Sequence, residues 1–247
     1  AEHQDPAFRQ ADEGLPLEAT RTIEIETEEG TWLSLDVSPD GETVVFELLG
    51  DIYTLPIEGG VATPILDGMA FQSMPVFSPD GSRIAYISDE SGNDNLWIAD
   101  VDGANAKAIT EDASGEYQAP EWSADGRYVF VSKLPGGIGA NEIWMYNVLG
   151  GKGIQITNSK PKGDDTPRSE QPNAMGPSVS SDGRYLYYST KNGGFSYNQT
   201  SFDWKVVRRD LDEGSTDTIV TALGGALSPV VAPDGRQLVY ATRHETE

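Results

Sequence analysis

Short apolar runs separated by turn residues recur along the chain and predict an all-β protein. Five of the runs are rich in β-branched and aromatic residues and follow an Asp-Gly pair, which is a strong signal for a hairpin between two strands. The runs are Val44–Phe46, Ile84–Tyr86, Tyr128–Phe130, Leu186–Tyr188 and Leu238–Tyr240. No segment has convincing helical periodicity, so the pattern predicts strands and turns throughout.

A five-residue phrase, Ser-Pro-Asp-Gly after an apolar residue or a close variant of it, recurs ahead of these runs. Its aspartates are Asp40, Asp80, Asp125, Asp182 and Asp234, which are 40, 45, 57 and 52 residues apart. Steps of 40 to 45 residues are typical of the four-stranded blades of a β-propeller, and the two longer steps leave room for inserted loops.

Two further strand-like segments in each repeat complete a four-stranded blade. The third strands are predicted at Asp51–Ile57, Asn95–Val101, Glu142–Val148 and Trp204–Leu211, and the fourth at Thr63–Leu66, Lys107–Thr110, Ile154–Thr157 and Asp217–Thr221. A proline precedes each of the last four phrases, where it can open the first strand without removing a needed donor. These prolines are Pro75, Pro120, Pro177 and Pro229.

The Asp-Gly pairs are predicted to form turns rather than to bind metal or transfer protons. Aspartate can hydrogen-bond its own backbone, and glycine takes the left-handed conformation that a tight hairpin requires. We expect the preceding serine to bond within the same turn. The predicted turn residues are Asp40, Gly41, Asp80, Gly81, Asp125, Gly126, Asp182, Gly183, Asp234 and Gly235.

The repeats resemble those of the TolB-type β-propeller, in the Ser-Pro-Asp-Gly phrase, the strand Asn95–Gly103 and the segment Ala106–Thr110. The resemblance covers residues 20–247 and leaves residues 1–19 as a flexible N-terminal segment. The first unit, Glu29–Gly41 followed by Leu48–Ile57, looks like the N-terminal propeller of exported bacterial metal-dependent amidohydrolases. That resemblance implies a parent protein that hydrolyses amide or related C–N bonds with a zinc-type divalent metal held outside this segment.

Two other functions fit the same repeats. The first is an envelope protein of the TolB kind that works by binding other proteins, although TolB-type proteins carry an α/β domain ahead of the propeller and residues 1–19 are too short for one. The second is the propeller of a prolyl-oligopeptidase-type serine peptidase, whose catalytic domain would lie outside this sequence.

The repeats amount to four complete blades, half of a fifth and a leading strand predicted at Thr20–Glu28. This is too little for a six-bladed or larger ring, so we expect a part of a longer polypeptide. Unpaired strand edges favour unwanted pairing and are normally covered. The remainder of the same polypeptide or another chain is therefore the expected partner at the open edge.

Charge is concentrated in the first half of the chain. The protein has 40 acidic and 17 basic side chains, and residues 1–130 hold 27 of the acids and 5 of the bases. A negative field of this size disfavours nucleic-acid and anionic-lipid binding, and no apolar run is long enough for membrane insertion. The absence of an initiator methionine and of a signal sequence suits a mature periplasmic or secreted protein.

The sequence contains no recognisable catalytic, cofactor-binding or metal-binding constellation. There is no cysteine, the two histidines are His3 and His244, and no Gly-x-Ser-x-Gly elbow occurs. The acidic hairpin Asp89–Asn95 lacks the order of an EF-hand loop. Two long connections on one face of the propeller remain as candidate channel-face loops, and their residues of interest are Asp164, Asp165, Phe195, Tyr197 and Phe202.

Overall fold

The computed structural model describes residues 21, 23–137, 139–160, 163, 165–193 and 203–243. Four antiparallel four-stranded sheets follow one another along these residues, each a meander in chain order. They consist of β1–β4 (Leu35–Val37, Thr43–Leu48, Asp51–Pro56, Thr63–Leu66), β5–β8 (Gln72–Phe77, Arg83–Ser88, Asn95–Asp100, Lys107–Ala108), β9–β12 (Glu116–Trp122, Tyr128–Leu134, Glu142–Asn147, Ile154–Gln155) and β13–β16 (Pro172–Val179, Tyr185–Asn192, Lys205–Asp210, Thr216–Thr221). A hairpin, β17 (Leu227–Val231) and β18 (Leu238–Ala241), starts a fifth sheet.

These sheets confirm the predicted class, a β-propeller of four-stranded blades with about four and a half blades present. A single 3-10 turn at Pro135–Gly137 interrupts the β structure of the described residues. The third strands begin within one residue of the predicted positions, and the fourth strands of the second and third blades are two residues shorter than predicted. No helix in the described part of the chain is long and apolar enough to cross a membrane.

The hydrophobic core is divided into three clusters, one between each pair of successive complete blades. Val45, Ile52, Ile84 and Tyr86 belong to the cluster between the first two blades, and all four are buried. The second cluster joins β6 and β7 to β9, β10 and β11, and the third joins β10 and β11 to β13, β14 and β15. Each blade is therefore stabilised by burying apolar side chains against the next one, as expected of a repeat protein.

The turn between the first two strands of each blade has one repeated hydrogen-bond pattern. In the second blade, the Ser78 hydroxyl and the Ser82 amide both donate to Asp80 Oδ1, at 2.6 and 3.1 Å, and Ser78 Oγ accepts from the Arg83 amide at 3.0 Å. The Ser78 hydroxyl is the main cause that lowers the pKa of Asp80, to about 2. The first, third and fourth blades repeat these bonds around Asp40, Asp125 and Asp182.

Glycine follows each of these aspartates because the turn requires a positive φ. Gly81 has φ of 70° and Gly183 has φ of 73°. A Cβ at either position would also contact the turn of the preceding blade, at Pro39 and Ala124 respectively. The turns thus pack against one another from blade to blade.

Replacing Asp80 by alanine is expected to lower the free energy of unfolding by about 1 kcal/mol, because three hydrogen bonds to its Oδ1 are lost from an exposed turn. The fifth copy offers a matched control. Ala232 stands in place of the serine there, and Asp234 Oδ1 accepts one described bond, from the Arg236 amide. Asp234→Ala should cost less than half as much in urea unfolding; equal costs would contradict the role of the serine.

The position of the prolines in the first strands differs from the sequence prediction. The four prolines do not open their strands but lie inside them, each next to a register shift against the second strand. The residue before each proline has positive φ, which forms the bulge that accommodates a residue without an amide proton; these residues are Met74, Ala119, Gly176 and Ser228.

The predicted leading strand Thr20–Glu28 was wrong for its described residues. Residues 21 and 23–28 form no strand and are exposed. A strand needs a neighbour to accept its ladder hydrogen bonds, and no described segment pairs with this one. The alternation of apolar and polar residues in this segment was therefore not sufficient to predict a strand.

Candidate functional site

The first strands of the blades lie at the centre of the arc, where each contacts the first strand of the next blade. In the first, third and fourth blades, the next-to-last residue of this strand accepts a hydrogen bond from the first strand of the next blade. Asp36 Oδ2 accepts from the Phe77 amide at 2.8 Å, and Glu121 Oε1 accepts from the Val179 amide at 2.9 Å, so each carboxylate links its blade to the following strand. Ser178 does the same for the Val231 amide at 3.1 Å.

The second blade has valine at this position and uses a different bond. Val76 has no polar side chain, and its carbonyl accepts instead from Trp122 Nε1 at 3.1 Å. The Arg83 guanidinium lies 4.9 Å from the centre of the Trp122 ring and donates to the Gly126 carbonyl. Every junction between first strands therefore has a specific inter-blade hydrogen bond.

The two carboxyl groups in the first strands, those of Asp36 and Glu121, have raised pKa values. Burial raises the pKa of Glu121 to about 8, against the hydrogen bond from Val179, and the charge of Asp36 adds to the increase. Burial also raises the pKa of Asp36, while the amides of Phe77 and Val37 oppose the shift. The centre of the arc can therefore hold a proton at neutral pH, which makes it a candidate site for pH-dependent behaviour.

The end of the blades opposite the Asp-Gly turns carries the connections between second and third strands and those between blades. In the first three blades this end is acidic. Burial raises the pKa of Asp51, and the nearby charge of Asp67 raises it further. Burial and the charges of Asp89 and Glu116 raise the pKa of Asp94 in the same way. Like charges are thus crowded at this end of the first three blades.

A recess of about 230 Å³ opens in this acidic surface between the first and second blades. It is lined by Asp67, Met69, Ala70, Gln72 and Glu90. Sequence reasoning missed it because its residues belong to connections outside the repeated phrase, and their proximity depends on how two blades pack.

A second groove, of about 570 Å³, lies between the second and third blades and contains Lys133. Its ammonium is 2.8 Å from Asp112 Oδ2 and donates to the Tyr146 hydroxyl at 3.3 Å. The same ammonium lies 5.0 Å from the Tyr117 ring centre and 4.9 Å from that of Trp144. Burial works to lower the pKa of Lys133, but its partners, Asp112 first, raise it overall, which favours a charged ammonium group that holds the two sides of this groove together.

The candidate channel-face residues are described only in part. Asp165 is exposed and lies in an irregular segment, whereas Asp164, Phe195, Tyr197 and Phe202 fall outside the described residues. The two histidines fall outside them as well. Within the described ranges, no group of three His, Cys, Asp or Glu side chains is arranged to hold a metal ion.

The acidic hairpin of the second blade uses its polar groups for structure. Asp89 Oδ1 accepts from the Phe71 amide at 2.7 Å. Asn95 Oδ1 accepts from the Thr110 hydroxyl and the Asp112 amide, at 2.7 and 2.9 Å. These oxygens tie the hairpin to the connections on either side of the blade.

A family model for the TolB β-propeller domain matches residues 15–194. The chain belongs to this TolB β-propeller family. Solved structures agree on the fold: a protein from Agrobacterium tumefaciens assigned as TolB has a TM-score of 0.68 at 20% identity, covering 85% of this chain and 69% of that one. TolB from Acinetobacter baumannii has a TM-score of 0.65 at 21% identity, covering 86% of this chain and 49% of its own.

Curated relatives of this TolB-family chain are similar over part of their length. An uncharacterized protein of Agrobacterium fabrum is 30% identical over 150 residues, 52% of this chain and 51% of that protein. Tricorn protease homolog 1 of Streptomyces coelicolor is 34% identical over 94 residues, which are 38% of this chain and 9% of the homolog. Dipeptidyl-peptidase 5 of Arthroderma otae is 38% identical over 128 residues, 39% of this chain and 17% of the peptidase. The chain therefore spans about half or less of these relatives.

Asp36 and Glu121 are functional candidates that sequence reasoning missed, although a signal was present. They occupy the same position of the repeat, two residues before the serine of the Ser-Pro-Asp-Gly phrase or its variant. An acid at an apolar strand position, repeated at one place in two blades, is the pattern that could have identified them.

Proposed function

We propose that this TolB-family propeller is a non-catalytic module of a larger exported hydrolase that cleaves amide bonds. In this role the propeller supports a catalytic domain and restricts access to it, and the rest of the polypeptide or another chain covers the open ends of the arc. The protein would act in the periplasm or outside the cell.

The apolar faces of the end blades carry this proposal. In the interior, Phe77 and Trp122 are buried against the preceding blade, but Val37, at the equivalent position of the first blade, is 41% exposed, and its strand neighbour Leu35 is 59% exposed. At the other end, Val239 is 64% exposed, whereas its counterpart Val45 has no exposed surface. Neighbouring exposed apolar residues of this kind favour contact with more protein.

The named relatives support a hydrolase as the larger protein. Tricorn protease homolog 1 and dipeptidyl-peptidase 5 are peptidases by name, and each is several times longer than the segment that matches this chain. A prolyl endopeptidase and a puromycin-hydrolyzing peptidase of Mycobacterium tuberculosis are among the structural neighbours, at 16% and 15% identity. Peptidases cleave amide bonds, the bond class expected from the amidohydrolase resemblance.

Two catalytic partners are consistent with the module. A metal-dependent amidohydrolase domain would contain a zinc-type divalent metal, and that expectation rests on the resemblance of the first repeat. A prolyl-oligopeptidase-type serine peptidase domain is the second candidate, and the peptidase names of the relatives favour it.

The native protein tests this proposal. An antibody raised against this chain should recover a protein with an intact mass well above 26.7 kDa, together with hydrolysis of amide substrates. Loss of activity with a chelator would indicate the metal-dependent partner, and labelling by a fluorophosphonate would indicate the serine peptidase. A recovered mass of 26.7 kDa with no co-purifying hydrolase would contradict the proposal.

Protein binding in the cell envelope remains a second candidate function, because solved TolB structures share this fold over most of the chain. The acidic first half would then be the docking face for a basic partner. A pull-down that recovers a stoichiometric envelope protein and no hydrolase would favour this function over the first.

A further inference from the structure

We propose that the recess between the first and second blades binds a primary alkylammonium group, such as a lysine side chain or a free diamine. Asp67 and Glu90 provide two carboxylates, and the buried amide oxygen of Gln72 becomes a third acceptor when its side chain rotates toward the recess, so the lining can satisfy the three N–H donors of an ammonium group. This proposal is independent of whether a hydrolase domain adjoins the propeller.

Gln72 is the observation that points to a ligand. It is 3% exposed, it lines the recess, and its Oε1 accepts no hydrogen bond from any described residue. A buried polar atom without a partner costs free energy, so such atoms are rare unless a ligand or water satisfies them. The backbone amide of Gln72 is bonded to the Gly50 carbonyl across the blades, which fixes the strand that carries this side chain.

No residue that the structure describes neutralises the charge of the recess. Among the described residues, neither Asp67 nor Glu90 forms an ion pair. Arg83 is the single basic residue in the sequence between positions 51 and 106, and it bonds to Gly126 at the opposite end of the blades. Asp51 adds negative charge next to Asp67. A cation is therefore the complementary ligand.

The apolar part of the lining selects among cations. Met69 and Ala70 lie beside the carboxylates and can contact a methylene stem, as lysine stems pack on apolar surface while their ammonium group bonds to polar atoms. A hydrated divalent metal ion would make no favourable contact with these two apolar side chains. In agreement, no cluster of three acidic or histidine ligands occurs in the described chain.

Calorimetric titration of the full 247-residue chain tests the recess. Nα-acetyl-lysine methylamide is expected to bind with 1:1 stoichiometry and a Kd of about 1 mM, as suits a single ammonium contact. Nα-acetyl-norleucine methylamide, which keeps the stem and lacks the charge, should show no saturable binding. Titration with 1,5-diaminopentane distinguishes the source, because tighter binding of the diamine indicates a free polyamine and tighter binding of the lysine amide indicates a protein side chain.

Matched variants locate the binding. Glu90→Gln should weaken lysine amide binding about 10-fold, whereas Glu58→Gln, the same change at an exposed turn on the opposite end, should leave Kd within about twofold. Gln72→Leu should weaken binding about fivefold without lowering the melting temperature, since it removes an unpaired polar atom. If Gln72 had only a structural role, weaker binding in this variant would be accompanied by a lower melting temperature.

Three results would overturn the proposal. The first is equal binding of the norleucine and lysine amides, and the second is an equal effect of the Glu90 and Glu58 substitutions. The third is displacement of the lysine amide by equimolar calcium, which would make the recess a metal site.

Discussion

Alanine in place of Phe130 is expected to lower the free energy of unfolding by about 3 to 5 kcal/mol, the largest effect of any substitution considered for this protein. Phe130 is 2% exposed and lies in the cluster between the third and fourth blades. It contacts the buried faces of both blades, including Ile143 and Leu186. Removing the ring leaves a cavity that neighbouring strands, held by their ladders, cannot close.

The same repeat position provides controls at both ends of the arc. Val45, Phe130 and Val239 each lie five residues after the aspartate of their turn. Val45 and Phe130 face the next blade, whereas Val239 lies on an exposed face of the last described hairpin. Val45→Ala should cost about 2 kcal/mol, because Val45 is fully buried against the second blade. Val239→Ala, the same chemical change on an exposed face, should cost less than about 0.5 kcal/mol.

Urea unfolding of the three variants measures these differences. A shifted midpoint with an unchanged m-value would show that each substitution changes the stability of the fold and not the amount of surface exposed on unfolding. A cost at Val239 equal to that at Val45 would mean that the last hairpin is already covered. If the cost at Val239 is small as expected, Val239→Ala in the larger protein proposed above should cost as much as Val45→Ala, because further blades or a partner would pack on this face.

The blades could be predicted because each of their determinants is local. The Asp-Gly turn, the apolar strand after it and the spacing of the third strand all lie within a few residues of one another. The third strand of the second blade, predicted to begin at Asn95, begins there in the structure. A repeat can be predicted from sequence when its turn residues and its strand pattern indicate the same structure in this way.

Features that depend on two blades at once could not be predicted. Pro75 lies within β5 because Met74 takes positive φ and forms a bulge, and that conformation is supported when the Met74 amide donates to Ser34 Oγ of the first blade. The recess around Gln72 depends in the same way on the connections at the ends of two blades. Residues 23–28 show the converse, since they have a strand pattern but no described partner.

Glu121→Gln is expected to stabilise the protein by about 2 kcal/mol at pH 8, and by little at pH 5. Burial raises the pKa of Glu121 from 4.5 to about 8, so the folded protein favours the neutral side chain. The gain is limited to about 2 kcal/mol because Glu121 is only partly buried in the structure, so solvent screens part of its charge. Glutamine keeps the oxygen that accepts from the Val179 amide at 2.9 Å and removes the charge.

The direction of the pH dependence follows from proton linkage. Between pH 4.5 and 8 the folded state holds a proton on Glu121 that the unfolded state has released, so the stability contributed by this residue is complete below pH 4.5 and is lost as pH rises to 8. In the glutamine variant this loss is absent. The difference in stability between variant and wild type should therefore grow steadily across this interval and stay constant above pH 8.

Melting temperatures of the wild type and the variant at a series of pH values between 5 and 8.5 give the measurement. Glu58→Gln, an exposed turn residue, controls for the change in net charge. If Glu121→Gln stabilises equally at both ends of the series, Glu121 is ionised in the folded protein throughout, and the Val179 amide donates to a charged carboxylate at every pH. Because Asp36 contributes to the raised pKa of Glu121, Asp36→Asn should move the pH interval of the effect downward, which no change in net charge at a distant turn would do.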